Sequence, residues 1–373
     1  MFVRWSNLLV DAEEARTLPG YRDPAVVRRF DAPEALDTRF YEVHAKSALN
    51  QVPPQSRMFF RWTINPYRGC SHACTYCFAR PTHKFLDFDA GRDFEKEIVV
   101  KVNLPEVLRA ELARPSWKRE HVALGTNTDP YQWVEGRYKL MPEVWQALLD
   151  SGTPCSLLTK SPLMLRDIDL LRALSEQVGF TANVSVPTLD EKAWRATEPH
   201  TPHPRKRLEA LGELAAAGIP TGVLIAPLMP GINDSPEQVE RILELAAENG
   251  AGSVSGITLH MRGEVRDVFM GWLRAQRPDL VEHYERLYGG RAYAPNRERE
   301  RHARLVRETR EKVDARLGGR PRRFPKPRPG GPRRGMPTQG NGGHATKGSI
   351  AAPDGPAAKP PSRPRAPAQE SLF

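Results

Sequence analysis

Between residues 58 and 290, short apolar runs alternate with longer segments whose apolar positions recur at helical spacing. Runs at 58–64, 121–125, 154–159, 180–186, 221–228 and 253–260 predict strands. Segments 105–113, 142–149, 165–177, 204–217, 236–248 and 265–287 predict helices. Their punctuation is local: Pro105 opens a helix, Ser235 stands as a cap, and Gly152, Gly218 and Asn249-Gly250 follow last turns. A run at 97–102 is compatible with a further strand. Strand–helix alternation with short joints means a parallel sheet wrapped by helices. Six such strands are fewer than the roughly eight of a closed barrel. The expected architecture is α/β, a partial (β/α)6 TIM-like open barrel, with chemistry at the C-terminal ends of the strands.

The rest of the chain reads differently. Residues 1–57 mix short apolar patches with Pro and charge and read as an N-terminal extension, with an irregular connector at 45–54. Residues 58–290 are the core domain. Residues 291–317 are a charged, helix-compatible segment expected to pack loosely or lie on the surface. From 318 to 373 the chain is rich in Pro, Gly, Arg and Ala without periodicity, and reads as disordered.

Charge changes this picture only at the end of the chain. The net charge is +10, and Arg320, Arg322, Arg323, Lys326, Arg328, Arg333 and Arg334 crowd into the tail. Such a tail favours nucleic acid through counterion release; the same charge also keeps a disordered segment in solution. Asp11, Glu13 and Glu14 interrupt the first residues, so no signal peptide is expected, and no apolar run reaches membrane-spanning length. Clustered thiols without an even, spread pattern fit a reducing cytoplasm.

Three of the four cysteines lie in Cys70-Ser71-His72-Ala73-Cys74-Thr75-Tyr76-Cys77, and the fourth, Cys155, lies in an apolar run. A structural zinc would need a fourth donor such as His72 or His83. A 4Fe–4S cluster takes thiolates on its irons, and three leave one iron open for a ligand. Polar side chains gather at the predicted strand ends: Thr126, Asn127, Thr128 and Asp129; Lys160 and Ser161; Asn183, Ser185 and Thr188, then Asp190, Arg195 and Glu198; the loop from Ala226 to Asp234; His260 and Arg262. Many such residues cap helices and loop backbones. A lysine at such a site needs a partner for its charge.

Cys-x3-Cys-x2-Cys with Tyr76 before the last cysteine resembles the cluster loop of the radical S-adenosylmethionine superfamily. The resemblance implies that the open iron chelates the amino and carboxylate groups of S-adenosylmethionine. One electron then cleaves the sulfonium, and a 5′-deoxyadenosyl radical takes hydrogen from a substrate. It also implies a reductant partner such as flavodoxin or ferredoxin. Asn65-Pro66-Tyr67-Arg68-Gly69-Cys70, Thr126-Asn127-Thr128-Asp129-Pro130-Tyr131, Leu158-Thr159-Lys160-Ser161, and the stretch holding Ser185, Asp190, Glu198-Pro199 and Arg207-Leu208 resemble the spore photoproduct lyase-like branch. By that resemblance Cys70, Cys74 and Cys77 hold the cluster. Lys160 and Ser185 contact S-adenosylmethionine, Tyr76 and Phe78 flank its adenine side, Ala226 offers backbone, and Thr128 joins the cofactor set.

One departure bears on substrate. The branch's lyases carry a hydrogen-donating cysteine near the end of the second strand, and Thr126 stands at that place here. A hydroxyl O–H bond is too strong to donate a hydrogen atom readily. Cys155 falls at the start of its strand, the wrong end, and reads as a small buried hydrophobe. Three functions follow: a radical enzyme whose substrate is nucleic acid, protein or peptide; a DNA or RNA lesion repair or modification lyase; or a non-catalytic iron–sulfur or zinc redox sensor. No catalytic residue is assigned.

Overall fold

The computed structural model describes residues 10–30, 37–53, 56, 58 and 60–317. The tail 318–373, with its expected disorder and its basic cluster, lies outside the described residues. Twelve strands are found among the described residues: β1 (Val10–Arg16), β2 (Ala25–Phe30), β3 (Arg39–Val43), β4 (Leu49–Gln51), β5 (Trp62–Ile64), β6 (Tyr67–Arg68), β7 (Glu97–Lys101), β8 (Val122–Leu124), β9 (Cys155–Thr159), β10 (Phe180–Ser185), β11 (Thr221–Leu228) and β12 (Ser253–Thr258). The helices are α1 (Arg92–Lys96), α2 (Leu104–Leu112), α3 (Glu135–Tyr138), α4 (Leu140–Ser151), α5 (Ile168–Gln177), α6 (Glu191–Thr197), α7 (Pro204–Ala216), α8 (Pro236–Glu248), α9 (Glu264–Gln276), α10 (Val281–Tyr288) and α11 (Asn296–Arg316).

The larger sheet runs β12-β11-β10-β9-β8-β5-β4. Its strands β5, β8, β9, β10, β11 and β12 pair parallel and in chain order, and only β4 is antiparallel at the edge. This is the expected partial (β/α)6 barrel. Alternate strand residues face opposite sides. Val122, Leu157, Val184 and Ile225 are buried against Leu108, Trp145, Leu171, Leu211 and Ile242 of the helices. Burying a side chain of this size contributes about 1.5–3 kcal/mol. Their neighbours Ser156, Leu158, Asn183 and Leu224 face the other way and are only partly buried.

Four local expectations need correction. The first barrel strand begins only at Trp62, where β4 ends and β8 begins opposite it. The helix expected over 265–287 breaks after Gln276, where Pro278 starts a short 3-10 turn before α10. The connector at 45–54 contains β4. The charged segment does not lie loosely: α11 buries His302, Val306, Thr309 and Val313, one helical stripe, and Val306 and Val313 join the main core.

The residues before the barrel supply most of a second sheet, ordered β1-β2-β3-β7-β6. Phe40, Ile98 and Val100 are buried on one face, and Tyr41, Val43 and Val99 on the other. β6 leads directly into the cysteine loop, so this sheet sets where the loop starts. No helix among the described residues is long and apolar enough to cross a membrane.

Candidate active site at the strand ends

The cysteine loop leaves β6 through Gly69, whose φ of +78° suits a residue without Cβ. A Cβ there would lie 2.9 Å from Ile98 Cδ1 and 3.0 Å from the Phe94 carbonyl oxygen. Ala73 adopts a left-handed φ of 56° and turns the loop back on itself. Arg80, fully buried, holds that shape: Nε donates to the Cys74 carbonyl at 3.0 Å and Nη2 to the Ala73 carbonyl at 3.3 Å. Its Nη1 donates to the carbonyls of Ala90 and Gly91, and Glu95 balances its charge. Gln132 accepts from the Ser71 backbone N–H at 3.0 Å, and the Cys70 N–H donates to the Phe94 carbonyl at 2.8 Å.

Cys70 and Cys74 are buried, and Cys77 is half-buried. Burial pushes Cys70 up to about 12 and also raises Cys74 and Cys77. Thiolates in such a setting need a cationic group to stabilise them. A single zinc ion draws its sulfurs to about 2.3 Å from one point. Among the described residues, the three donors with ligand atoms all within 4.8 Å of one another are Asp234, Glu298 and His302, not the cysteines. His72, a possible fourth zinc donor, points Nδ1 at Asp129 Oδ2, 3.4 Å away, and His83 Nε2 hydrogen-bonds to the Glu97 carbonyl at 2.9 Å. Three well-spread sulfurs, two on buried residues and one on half-buried Cys77, fit a cluster with one open iron better than a lone ion. Cys155, at the start of β9, is buried in the core beside Val122 and Phe180, as expected of a hydrophobe.

Beside this loop four of the residues singled out in the sequence come together. Lys160 directly follows β9, Ser185 ends β10, and Ala226 lies in β11. Lys160 Nζ donates to Ser185 Oγ at 2.6 Å, and Ser185 Oγ donates to the Ala226 carbonyl at 3.2 Å. The same ammonium stands 5.7 Å from the centre of the Tyr76 ring. Thr128 is buried, and its hydroxyl donates to the Tyr67 carbonyl at 3.1 Å. Phe78 is 42% exposed. Thr126 Oγ1 is buried with no hydrogen-bond partner.

Glu198 is the hub that site assignment from sequence missed. It caps the C-terminus of α6, whose start is fixed by Asp190 accepting from the Ala193 N–H at 2.7 Å. The fully buried Glu198 carboxylate lies 2.9 Å from Lys160 Nζ and 2.5 Å from Arg207 Nη2, and accepts the Tyr76 hydroxyl. Burial alone would raise its pKa, but Arg207 and Lys160 outweigh burial and hold the carboxylate below its usual range. Burial and the same carboxylate push the Tyr76 phenol up, so it stays a donor. Arg207, also fully buried, donates from Nη1 to the Ser185 carbonyl at 2.8 Å. The available signal was an arginine on the apolar stripe of α7, among Leu208, Leu211 and Leu214.

Asp129 ties β8 to β9: Oδ1 accepts from Thr159 Oγ1 at 2.6 Å, and Oδ2 from the Lys160 N–H at 2.7 Å. Next to Ser185 and Ala226, Asn233 accepts the Met229 N–H and donates to the carbonyls of Pro187 and Pro227, which shapes the loop after β11.

The sequence model of the Radical SAM superfamily matches residues 64–246. An uncharacterized protein of Mycobacterium tuberculosis is 48% identical over 302 residues, covering 80% of this chain and 89% of that protein. An uncharacterized protein of Methanocaldococcus jannaschii is 30% identical over 194 residues, covering 52% of this chain and 69% of its own length. A double mutant of spore photoproduct lyase, solved with bound AdoMet and dinucleoside spore photoproduct, is similar in fold: TM-score 0.58 at 15% identity, covering 80% of this chain and 85% of that one. A loop of three cysteines that follows the first strand of a six-stranded parallel half-barrel, matched by the family's own sequence pattern, makes this chain a member of the radical SAM superfamily.

Proposed function

We propose that this protein is a radical S-adenosylmethionine enzyme that holds a 4Fe–4S cluster on Cys70, Cys74 and Cys77 and S-adenosylmethionine across the ends of β9, β10 and β11. The observation that carries this reading is the joined set Tyr76, Lys160, Ser185 and Ala226 against the cysteine loop. The bound groups supply one electron for reductive cleavage of S-adenosylmethionine, yielding a radical that abstracts hydrogen from substrate.

The chain's own residues bind and orient. Lys160 and Arg207 carry two positive charges against the single negative charge of Glu198. The surplus favours an anionic group such as the cofactor's carboxylate at Lys160. Ser185 and the Ala226 backbone give polar contacts, and Tyr76 gives an aromatic wall. Phe78 and Thr128 complete the proposed cofactor set, Phe78 from its exposed position and Thr128 by bracing the turn after β8. A small acidic electron carrier of the flavodoxin or ferredoxin class is the proposed reductant.

A nucleic-acid substrate is a second reading. It rests on the likeness in fold to a lyase solved with a dinucleoside photoproduct and on the basic sequence after residue 318. With threonine at position 126, such chemistry would need a different hydrogen return from one that uses a cysteine there.

The test is anaerobic reconstitution with iron and sulfide, then dithionite and S-adenosylmethionine, with 5′-deoxyadenosine assayed by chromatography. Product from the wild type and none from Cys74→Ala supports the enzyme. A spectroscopically intact cluster with no binding of S-adenosylmethionine would turn the assignment to a redox sensor, and zinc in place of iron would end it.

A further inference from the structure

The small sheet carries charges that the site above does not use. β6 and β7 are antiparallel, with Tyr67 opposite Val100 and Arg68 opposite Val99. Arg68 and Val99 therefore share a face, and Lys101, two residues beyond Val99, lies on the same face, diagonal to Arg68. Such diagonal positions are about 7–8 Å apart, within reach of long side chains. Across β3, Val43 stands opposite Lys101. This is the face on which Leu18, Tyr41, Val43, Leu86, Phe88 and Val99 pack, with Tyr21 against them.

Lys101 is 6% exposed, yet among the described residues neither its ammonium nor the Arg68 guanidinium has a hydrogen bond or ion pair. The two arginines of the cysteine site behave otherwise: Arg80 meets Glu95 and Arg207 meets Glu198. The nearby carboxylate of the face, Glu97, is taken by Arg39 and the Tyr41 hydroxyl. Arg68 acts on its surroundings: it opposes the burial-driven rise of the Tyr21 phenol and reinforces the fall of Lys101, which burial brings down to about 7. A buried cation without a counter-charge is costly. Buried Lys101, with the half-buried Arg68 guanidinium and a phenol on the same face, offers the donor set for an anion with several acceptor oxygens.

We propose that Arg68 and Lys101, with Tyr21 at their side, form an oxyanion pocket that takes a small phosphate-class ligand, inorganic phosphate or a terminal phosphate monoester. The enclosure of Lys101 favours a terminal group over the phosphodiester backbone of a nucleic acid, which would have to bring a whole strand to a residue buried in the sheet. Gly69 alone separates Arg68 from Cys70, so an anion here sits at the root of the cysteine loop. The proposal does not depend on the radical chemistry and is testable on protein without a cluster.

The experiment is calorimetric titration of the full chain with inorganic phosphate at fixed ionic strength, in two buffers of different ionisation enthalpy. Expected is saturable binding with proton uptake near neutral pH, weakened roughly tenfold or more by Lys101→Met and by Arg68→Gln. A rise in Tm with phosphate, present in the wild type and absent in both variants, separates lost binding from lost folding. A short oligonucleotide with only internal phosphodiesters should not compete with phosphate. No saturable binding to the wild type, binding unchanged in both folded variants, or equal competition by the oligonucleotide would each overturn the pocket.

Discussion

Lys160 Nζ and Ser185 Oγ are 2.6 Å apart, one just past the end of β9 and the other on the last residue of β10. The Ser185 hydroxyl in turn donates a hydrogen bond to the Ala226 carbonyl on the next strand, so two hydrogen bonds stitch three neighbouring strands. Parallel pairing makes this possible. The register Val184↔Thr159 places Ser185 level with Lys160, and Ser185↔Leu224 brings β11 alongside. A frame held by hydrogen bonds within the chain lowers the ordering cost of binding.

Replacing Cys70, Cys74 or Cys77 by Ala is expected to abolish iron–sulfur absorbance after reconstitution. Cys155→Ala should retain it and lose only about 1 kcal/mol of stability, as a small core truncation. Iron and sulfide content, with a urea titration for Cys155→Ala, checks both halves.

Glu198→Gln leaves the Arg207 guanidinium buried without its counter-charge, and is expected to cost about 3–5 kcal/mol. The sign of the pH effect follows from a carboxylate held below its usual range. Its contribution is complete above the unfolded value of about 4.3 and is lost as pH falls below it. Urea midpoints measured from neutral pH down into the acid range should therefore fall less steeply in the variant than in the wild type.

Asp234 anchors the last helix. It accepts the Gly231 N–H at 2.7 Å, lies 3.0 Å from His302 Nε2, and pairs with Arg301 of α11. Burial opposes its ionisation, but the bonds from His302 and Arg301 prevail and hold it at about 2 against an ordinary 3.8. Its stabilising effect is thus full above about pH 4 and disappears as pH falls through about 2. Asp234→Asn should cost about 1–3 kcal/mol and expose α11 to limited proteolysis. An unchanged cleavage pattern would contradict the anchor.

Gly125 turns the chain out of β8 with φ +81°, and a Cβ there would stand 1.8 Å from the Leu158 carbonyl oxygen. Gly125→Ala must push β8 and β9 apart where Asp129 joins them. A loss above about 3 kcal/mol, or failure to fold, is expected. A denaturation midpoint close to the wild type would show that the strands have more freedom than this contact allows.

Phe78→Ala removes a ring that is already 42% exposed, so stability should move by no more than about 0.5 kcal/mol. If the ring flanks the adenine, the Kd for S-adenosylmethionine rises several-fold, equivalent to about 1 kcal/mol. Equilibrium binding to reconstituted protein decides this, and an unchanged Kd removes Phe78 from the site.

Much of the barrel was legible because its signals are local. Caps, Pro and Gly joints and period-two runs lie within a few residues of what they determine, as Ser235 accepting from the Gln238 N–H shows. The second sheet was not legible. Its β3–β7 pairing joins Arg39 to Glu97 across a long stretch of chain, and nothing near either residue announces the other. α11 was misjudged for a related reason: two of its four buried positions are His302 and Thr309, whose polarity hides an inward-facing stripe.

By itself the sequence determined that three thiols share one short loop and that six strands alternate with helices. Both follow from spacing along the chain, which folding cannot change. Only the tertiary structure decided which charges are neutralised. Glu198 faces Lys160, Arg207 and Tyr76, while Arg68 and Lys101 pair with no acid among the described residues. A buried charge is compensated by whatever the packing of distant elements brings within a few ångströms, and separation in sequence carries no record of that distance.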